Sequence, residues 1–398
     1  MICPPDPAFA DCPSLGTYVG PDADGTENDG MMQGAWIAGF EFGRPAGLCP
    51  EAQTGPSCVG LNCCVNRFAH DNIWVRGGVI EQGDTRIAIL TVDTVGFFYD
   101  DIQAIQRRLD PALGIDKVII SATHTHEAPD TMGQWGPGWN GSDSPDETGI
   151  VPEWMEEIYG AAAGLITDAV GRLEPIDVYA MQTNTGSEGV ALRDSRPPFI
   201  ANDLMTVVRF VREGAAPTDA AQGLATYVNW HSHPEVLWSE NVYITSDFPH
   251  YLRQAVEAGI EAEGSGFAGA AGLGGVAVYT TGSCGGLLTP GSHGVAVNPG
   301  GQAFDQQDFA RAKALGDAVA YRVLQGFQTQ CSGTETFGCF KRIEGETLSF
   351  ADREFTTDIV NRVFHAAVFG LNLFRRSVYN WKFNDGYLGP VYPQVLTA

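Results

Sequence analysis

The sequence predicts an α/β fold: a mixed β-sheet core with flanking helices and long loops, in one large domain. Three observations carry that expectation. Short β-branched runs alternate with segments of helical spacing. "TRIAILTVD", "YDDIQAIQRRL" and "KVIISA" give strand, helix, strand in succession, the order that builds a buried sheet layer. The chain is 398 residues long and 44% hydrophobic, enough apolar material for a substantial core.

Residues 1–35 read as an irregular acidic leader, and 36–398 as the folded domain. "DADGTENDG" hints at calcium through its alternating acids but lacks the spacing of a twelve-residue calcium loop, so a solvated turn is the better reading. "NIWVRGGVI" and "TRIAILTVD" are joined by "EQGD", a hairpin signal. "VPEWMEEIYGAAAGLITDAVGRL" is the clearest helix, with Pro152 in its first turn and Trp154, Ile158, Leu165 and Ile166 on one face. Strands follow at "IDVYAMQTN", "LMTVVRFV", "GLATYVNW" and "VAVYTT". Helices follow at "DFPHYLRQAVEAGIEAE" and "QDFARAKALGDAVAYRVLQG".

The formal net charge of −25 disfavours nucleic acid and anionic membrane surfaces as partners. No apolar run reaches the roughly 18–20 residues of a membrane helix. "MICPPDPAFADCP" lacks the basic start and apolar centre of a signal peptide, so the chain is a processed or partial form, or it stays in the cytoplasm. Cysteine usage favours the former. Eight of the nine cysteines cluster, at Cys3 and Cys12, within 49–64, and at Cys331 and Cys339. Local disulfides in an oxidising compartment explain this, and the protein is expected to be secreted or periplasmic. Cys331 with Cys339, and at least one bridge within "CPEAQTGPSCVGLNCC", are the expected pairs. Zinc is the rival reading of that cluster, although the spacing lacks paired C-x₂-C units. Cys284, in "TTGSCGGLLTP", is expected to be unpaired, a small buried residue and not a nucleophile.

Chemistry concentrates after three strands. "KVIISA" runs into "THTHEAPD", "GLATYVNW" into "HSHPEVLWSE", and "VAVYTT" into "GSCGGLLTP". Ligands bind beyond the carboxyl ends of strands in open α/β sheets, so these loops are expected to share a rim. Residues i and i+2 of an extended chain point the same way. His124 with His126, and His231 with His233, could therefore each face one pocket. Half of the eight histidines lie in these pairs. Imidazole is a good zinc ligand, and three ligands plus water make a hydrolytic site. A single His-x-His is more often structural than ligating, but two after strands are harder to dismiss. His70 reads equally as a site residue or a structural one. Glu127, Asp130 and Glu235 could orient histidines or simply be solvated. Arg193 and Arg196 could bind a substrate oxygen or form surface ion pairs. His250, His293 and His365 read as ordinary. "MGQWGPGWNG" could form an aromatic lid. A cupin-type site fits "HSHPEVLWSE" in its histidines but not in the offset of its acid, and long helices do not suit a small barrel.

These segments resemble the neutral (non-lysosomal) ceramidase family. "ISATHTHEAPD" is similar to its "SGTHTHSGP"-type segment and "HPE" to "VHPTS". "HDNIWVRGGVI" with "IAILTVDTVGF" resembles its first strands, and "TGSCGGLLTP" stands where the family has "CGDVSP". The likeness runs in order from Gln33 to Pro290. It implies a zinc-dependent hydrolase, one Zn²⁺ per chain, that cleaves the N-acyl amide of ceramide-like lipids into fatty acid and sphingoid base. Carried over by position, His124 and His233 match zinc ligands, His126 a proton-transfer histidine, and Arg193 a substrate-side arginine. Thr289 is the nearest hydroxyl to the family's serine, with Ser283 a weaker match. The family's acid is replaced by the run Gly286, Leu287 and Leu288, and its further glutamate and tyrosine ligands find no match. The chain is therefore expected to be a C-terminally incomplete version of a longer enzyme. A zinc hydrolase of another ester or amide, or a non-catalytic ceramidase-like binding domain, are the alternatives.

Overall fold

The structure, a computed structural model, describes residues 31–351 except 42, 56, 68, 134, 137–148, 187–190, 196, 263–265, 291–293, 333–336 and 346. Cys3, Cys12, Arg196, His293, His365 and most of the aromatic loop lie outside the described residues.

Strands β1 (Met31–Trp36) and β2 (Pro45–Gly47) pair at the start of the described chain. The hairpin follows as β3 (Val75–Gln82) and β4 (Thr85–Val92), with Gln82 opposite Thr85 across a two-residue Gly-Asp turn. Helix α1 (Tyr99–Gln106) crosses over to β5 (Lys117–Ala122), which pairs parallel to β4. Together β3, β4 and β5 form a three-stranded sheet. Helix α2 (Pro152–Val170) covers it: Trp154, Ile158, Ala162 and Ile166, one every four residues, are all buried.

The second sheet has five strands. β6 (Ile176–Asn184), the short β7 (Arg193–Asp194), β8 (Leu204–Arg212) and β9 (Gly223–Trp230) follow in the chain. Helix α3 (Phe248–Ala258) then leads through the two-residue β10 (Gly259–Ile260) and β11 (Ala270–Ala271) to β12 (Val276–Thr281). β13 (Leu287–Leu288), β14 (Ala296–Val297) and β15 (Ala303–Phe304) precede helix α4 (Phe309–Gly326) and β16 (Phe340–Arg342). The sheet order is β12-β9-β8-β6-β16, with β12 parallel to β9 and every other pair antiparallel.

Helices α3 and α4 pack on this sheet and on each other, enclosing the largest core. Gly316 makes that close approach possible, since a Cβ there would lie 2.7–2.8 Å from Tyr251, Leu252 and Phe248. The α3 segment ends sooner than "DFPHYLRQAVEAGIEAE" suggests. Gly259 takes φ +100° and turns the chain into β10. The two sheets meet along β12, which packs against β3, β4 and β5. At that seam Tyr227 Oη donates to the Ile89 carbonyl at 2.9 Å, and Arg76 to the Ala277 carbonyl at 3.1 Å.

Disulfides join Cys331 to Cys339, and Cys49 to Cys64 with Cys58–Cys63 nested inside. The sulfurs of the 49–64 cluster are thus bonded to each other, against the zinc reading of that cluster. Cys284 is free. Thiol counting in denaturant without reductant is expected to find one to three free thiols: Cys284, with or without Cys3 and Cys12. Nine would mean that none of these bridges forms.

Candidate metal centre

The carboxyl ends of β5, β9 and β12 deliver the three expected loops to one place. β9 and β12 are neighbours and parallel, so their loops leave side by side. Two buried rings anchor those ends: Trp230 and Tyr279 both contact Phe248 edge-on, at 5.6 and 5.4 Å between centroids. The Tyr279 hydroxyl also donates to the Ser232 carbonyl at 3.1 Å.

His124, His126 and His233 form a ring cluster. Centroids lie 4.6 Å apart for His124 and His233, 4.9 Å for His124 and His126, and 5.6 Å for His126 and His233. Alternation along a strand does not explain the first pair, because His124 has φ +66°. A non-glycine residue in that region is strained by roughly 1–3 kcal/mol, and such residues gather at functional sites. Here the turn hands the chain from β5 to the loop and sets the His124 Nε2 3.4 Å from the His126 Nε2.

His124 Nδ1 donates to the Val95 carbonyl, and His233 Nδ1 donates to the Leu287 carbonyl at 2.9 Å. Each bond fixes the tautomer and leaves Nε2 with its lone pair free, as in metal-ligating histidines. Burial lowers the pKa of both rings, that of His233 to about 4. They are neutral at pH 7, the state that binds metal. The Cys284 Sγ joins them, with donor atoms of His124, His233 and Cys284 all within 4.8 Å of one another.

His126 is the most enclosed of the three rings. Burial, and then the neighbouring His124 and His233, push its pKa well below the usual value. Glu235 Oε2 lies 3.4 Å from its Nδ1, and burial raises the Glu235 carboxyl to about 8. Phe40 meets the ring edge-on at 4.9 Å. Behind it, Arg44 donates to the His126 and Ala38 carbonyls and pairs with Glu127 at 3.4 Å. Glu127 also accepts from Asn241 at 2.8 Å, and burial raises its pKa despite Arg44. Gly39 leaves room for the ring: a Cβ there would come 2.4 Å from the His126 Cγ, and its φ is +113°. Gly39→Ala is expected to displace the imidazole and reduce activity strongly, with a stability loss of about 1–3 kcal/mol. Activity and melting temperature measured on one preparation check this, and full activity would contradict the packing.

Other residues fall elsewhere. His231 does not join the ring cluster of His124, His126 and His233. Its Nδ1 accepts from the Ser283 N–H at 2.8 Å. His70 is structural, bonded to Asp71 and the Leu61 carbonyl and stacked on Phe309 at 3.5 Å. Asp130 organises its own turn, accepting from the N–H groups of Met132, Gly133 and Trp135. Arg193 is exposed in β7, in register with Leu288, whose backbone in turn bridges His233. Thr289 is buried one residue further on, and its Oγ1 has no hydrogen-bond partner among the described residues. Sequence reasoning missed Arg44 and Asn241 behind His126, and the approach of the Cys284 Sγ to His124 and His233. A separate cavity of 380 Å³, lined by Trp74, Val92, Asp93, Trp154 and Ile158 among others, contains none of the three histidines.

The donors suit zinc. Two imidazoles and a thiol are zinc-type ligands, and their spacing is within about 1.5 Å of that between two ligands on a tetrahedral ion. Glu235 Oε1 and Thr289 Oγ1 are buried without a hydrogen-bond partner among the described residues, which marks the place as built for more than packing.

No protein-family model matches the chain, and no curated protein matches it. Solved structures similar to the chain include two ceramidases. One is a neutral ceramidase from Pseudomonas aeruginosa, at TM-score 0.49 and 19% identity over 72% of this chain. The other is a ceramidase complexed with C2, at TM-score 0.47 and 20% identity, again over 72% of this chain. The aligned region spans 43% and 42% of those chains, less than half of either.

Proposed function

We propose that the chain is a zinc-dependent hydrolase of N-acyl amides, with ceramide-like lipids as its substrate class. The observation that carries this is the pair His124 and His233, each with Nδ1 tied to a backbone carbonyl, whose donor atoms lie with the Cys284 Sγ within 4.8 Å of one another. The "THTHEAPD" and "HPE" segments, in the order of the ceramidase family, support the substrate class.

His124 and His233 would hold a zinc ion, which when bound would supply Lewis-acid chemistry and a water of lowered pKa. His126, neutral and within reach of the His124 Nε2, takes the proton of the attacking water and returns it to the leaving amine. Glu235 holds the His126 ring from its Nδ1 side. Arg193 and the Thr289 hydroxyl are assigned to the substrate side, with Arg193 binding a substrate oxygen. His126 and His233 are about nine-tenths buried, which keeps bulk water from competing. Three disulfides among the described residues fit an oxidising, extracellular setting.

A panel of N-acyl sphingoid amides, other acyl amides, carboxylic esters and phosphoesters tests this, run before and after removal of metal by a chelator. Amide cleavage that disappears on chelation and returns with zinc is expected. Phosphoester cleavage without amide cleavage would overturn the amidase assignment, and lipid binding without turnover at any metal loading would mark a binding domain.

A further inference from the structure

We propose that Cys284 is the third protein ligand of the metal, so that the centre is a two-histidine, one-thiolate site. This rests on the metal reading above and adds a residue to it.

Geometry comes first. The Sγ of Cys284 lies within 4.8 Å of a donor nitrogen on both His124 and His233, whose outward nitrogens are otherwise engaged. The thiol is half-buried and in no disulfide, although the other cysteines among the described residues are all paired.

A second line comes from the loop itself. Cys284 N donates to the Gly282 carbonyl at 2.8 Å, and Leu287 N donates back to the Cys284 carbonyl at 2.6 Å. The Gly282 N–H bonds the Trp230 carbonyl at 2.8 Å, and the Ser283 N–H bonds His231 at 2.8 Å. The turn bearing the thiol is thus tied to the end of β9. The same turn supplies the Leu287 carbonyl, which accepts from both the backbone N–H (3.1 Å) and the Nδ1 (2.9 Å) of His233. One loop therefore presents the sulfur and orients a histidine toward it, as the shell around a metal ligand does. His126 is the competing third ligand, but its Nδ1 side faces Glu235 and its Nε2 faces His124.

A thiol ligates as thiolate. On binding, the S–H bond is lost, a sulfur–metal bond forms, and one proton passes to solvent for each ion bound.

Cobalt(II) in place of zinc gives a readout independent of turnover. Wild-type protein with one cobalt per chain is expected to show an intense near-ultraviolet thiolate-to-cobalt charge-transfer band. Cys284→Ser should lose that band and weaken metal binding by at least about 100-fold, beyond the 10- to 100-fold typical of an outer partner. His126→Ala should keep the band. In the unmutated protein, zinc should protect Cys284 from alkylation, as read by peptide mass, which does not depend on a variant folding. A stoichiometric cobalt protein without the band, or a band that survives in folded Cys284→Ser, overturns the assignment while leaving the metal hydrolase reading intact. Failure of the wild type to bind either metal overturns both.

Discussion

His233→Ala and His124→Ala are each expected to lose bound zinc and, with it, more than about 100-fold in turnover, above the range for an outer-sphere partner. His126→Ala is expected to keep its zinc and still lose about 10²–10⁴-fold, the usual contribution of a positioned base. The contrast follows from what each ring's nitrogens do. His124 and His233 spend Nδ1 on backbone carbonyls and keep Nε2 for an ion, whereas His126 has an acid on one side and His124 on the other. Metal content by atomic emission and turnover on one preparation separate the roles. Zinc retained at full occupancy in His233→Ala would remove that residue from the ligand set. Loss of metal in His126→Ala would move that residue into it.

The second large effect concerns the scaffold behind the site. Arg253, on α3, makes two bonds of 2.9 Å to the Asp93 carboxylate at the end of β4, and both side chains are almost fully buried. Asp93 also accepts from the Trp74 N–H and the Ser246 hydroxyl, each at 2.9 Å. Removing one partner leaves a buried charge without compensation. Asp93→Ala is therefore expected to cost about 3–5 kcal/mol, a fall in melting temperature of about 4–6 °C for a chain of this length. Replacing both residues with apolar ones of similar volume should recover much of the loss. A single variant that melts with the wild type would show that the pair is not desolvated.

Regular elements were legible where local pattern and burial agree. "IDVYAMQTN" alternates, and β6 occupies those nine residues, Ile176–Asn184, with inward positions buried. The His-x-His motif after β5 was legible because a polar pair at the end of an apolar run is costly unless used. His231 instead takes its partner from the loop after β12, at the Ser283 N–H, a pairing that no spacing within "HSHPEVLWSE" specifies. Cys284 and Arg44 were beyond reach for the same reason. Their roles depend on chain segments far apart in sequence, Arg44 reaching the carbonyl of a residue 82 positions away. Nothing local to "TTGSCGGLLTP" or "GRPAG" specifies which loop comes to lie beside it.

The donor set is divided between the two sheets: His124 follows β5 of the three-stranded sheet, while His233 and Cys284 follow β9 and β12 of the five-stranded one. An ion held by all three would act as a rivet across the seam. Its binding free energy then enters the cohesion of the two layers, by about 2.7 kcal/mol when free metal is a hundred times its dissociation constant. Stripping the metal should make the layers melt as separate units, with the five-stranded layer, which encloses the larger core, outlasting the other. Hydrogen exchange would report this as early loss of protection in β3–β5, and as a single transition once zinc is restored.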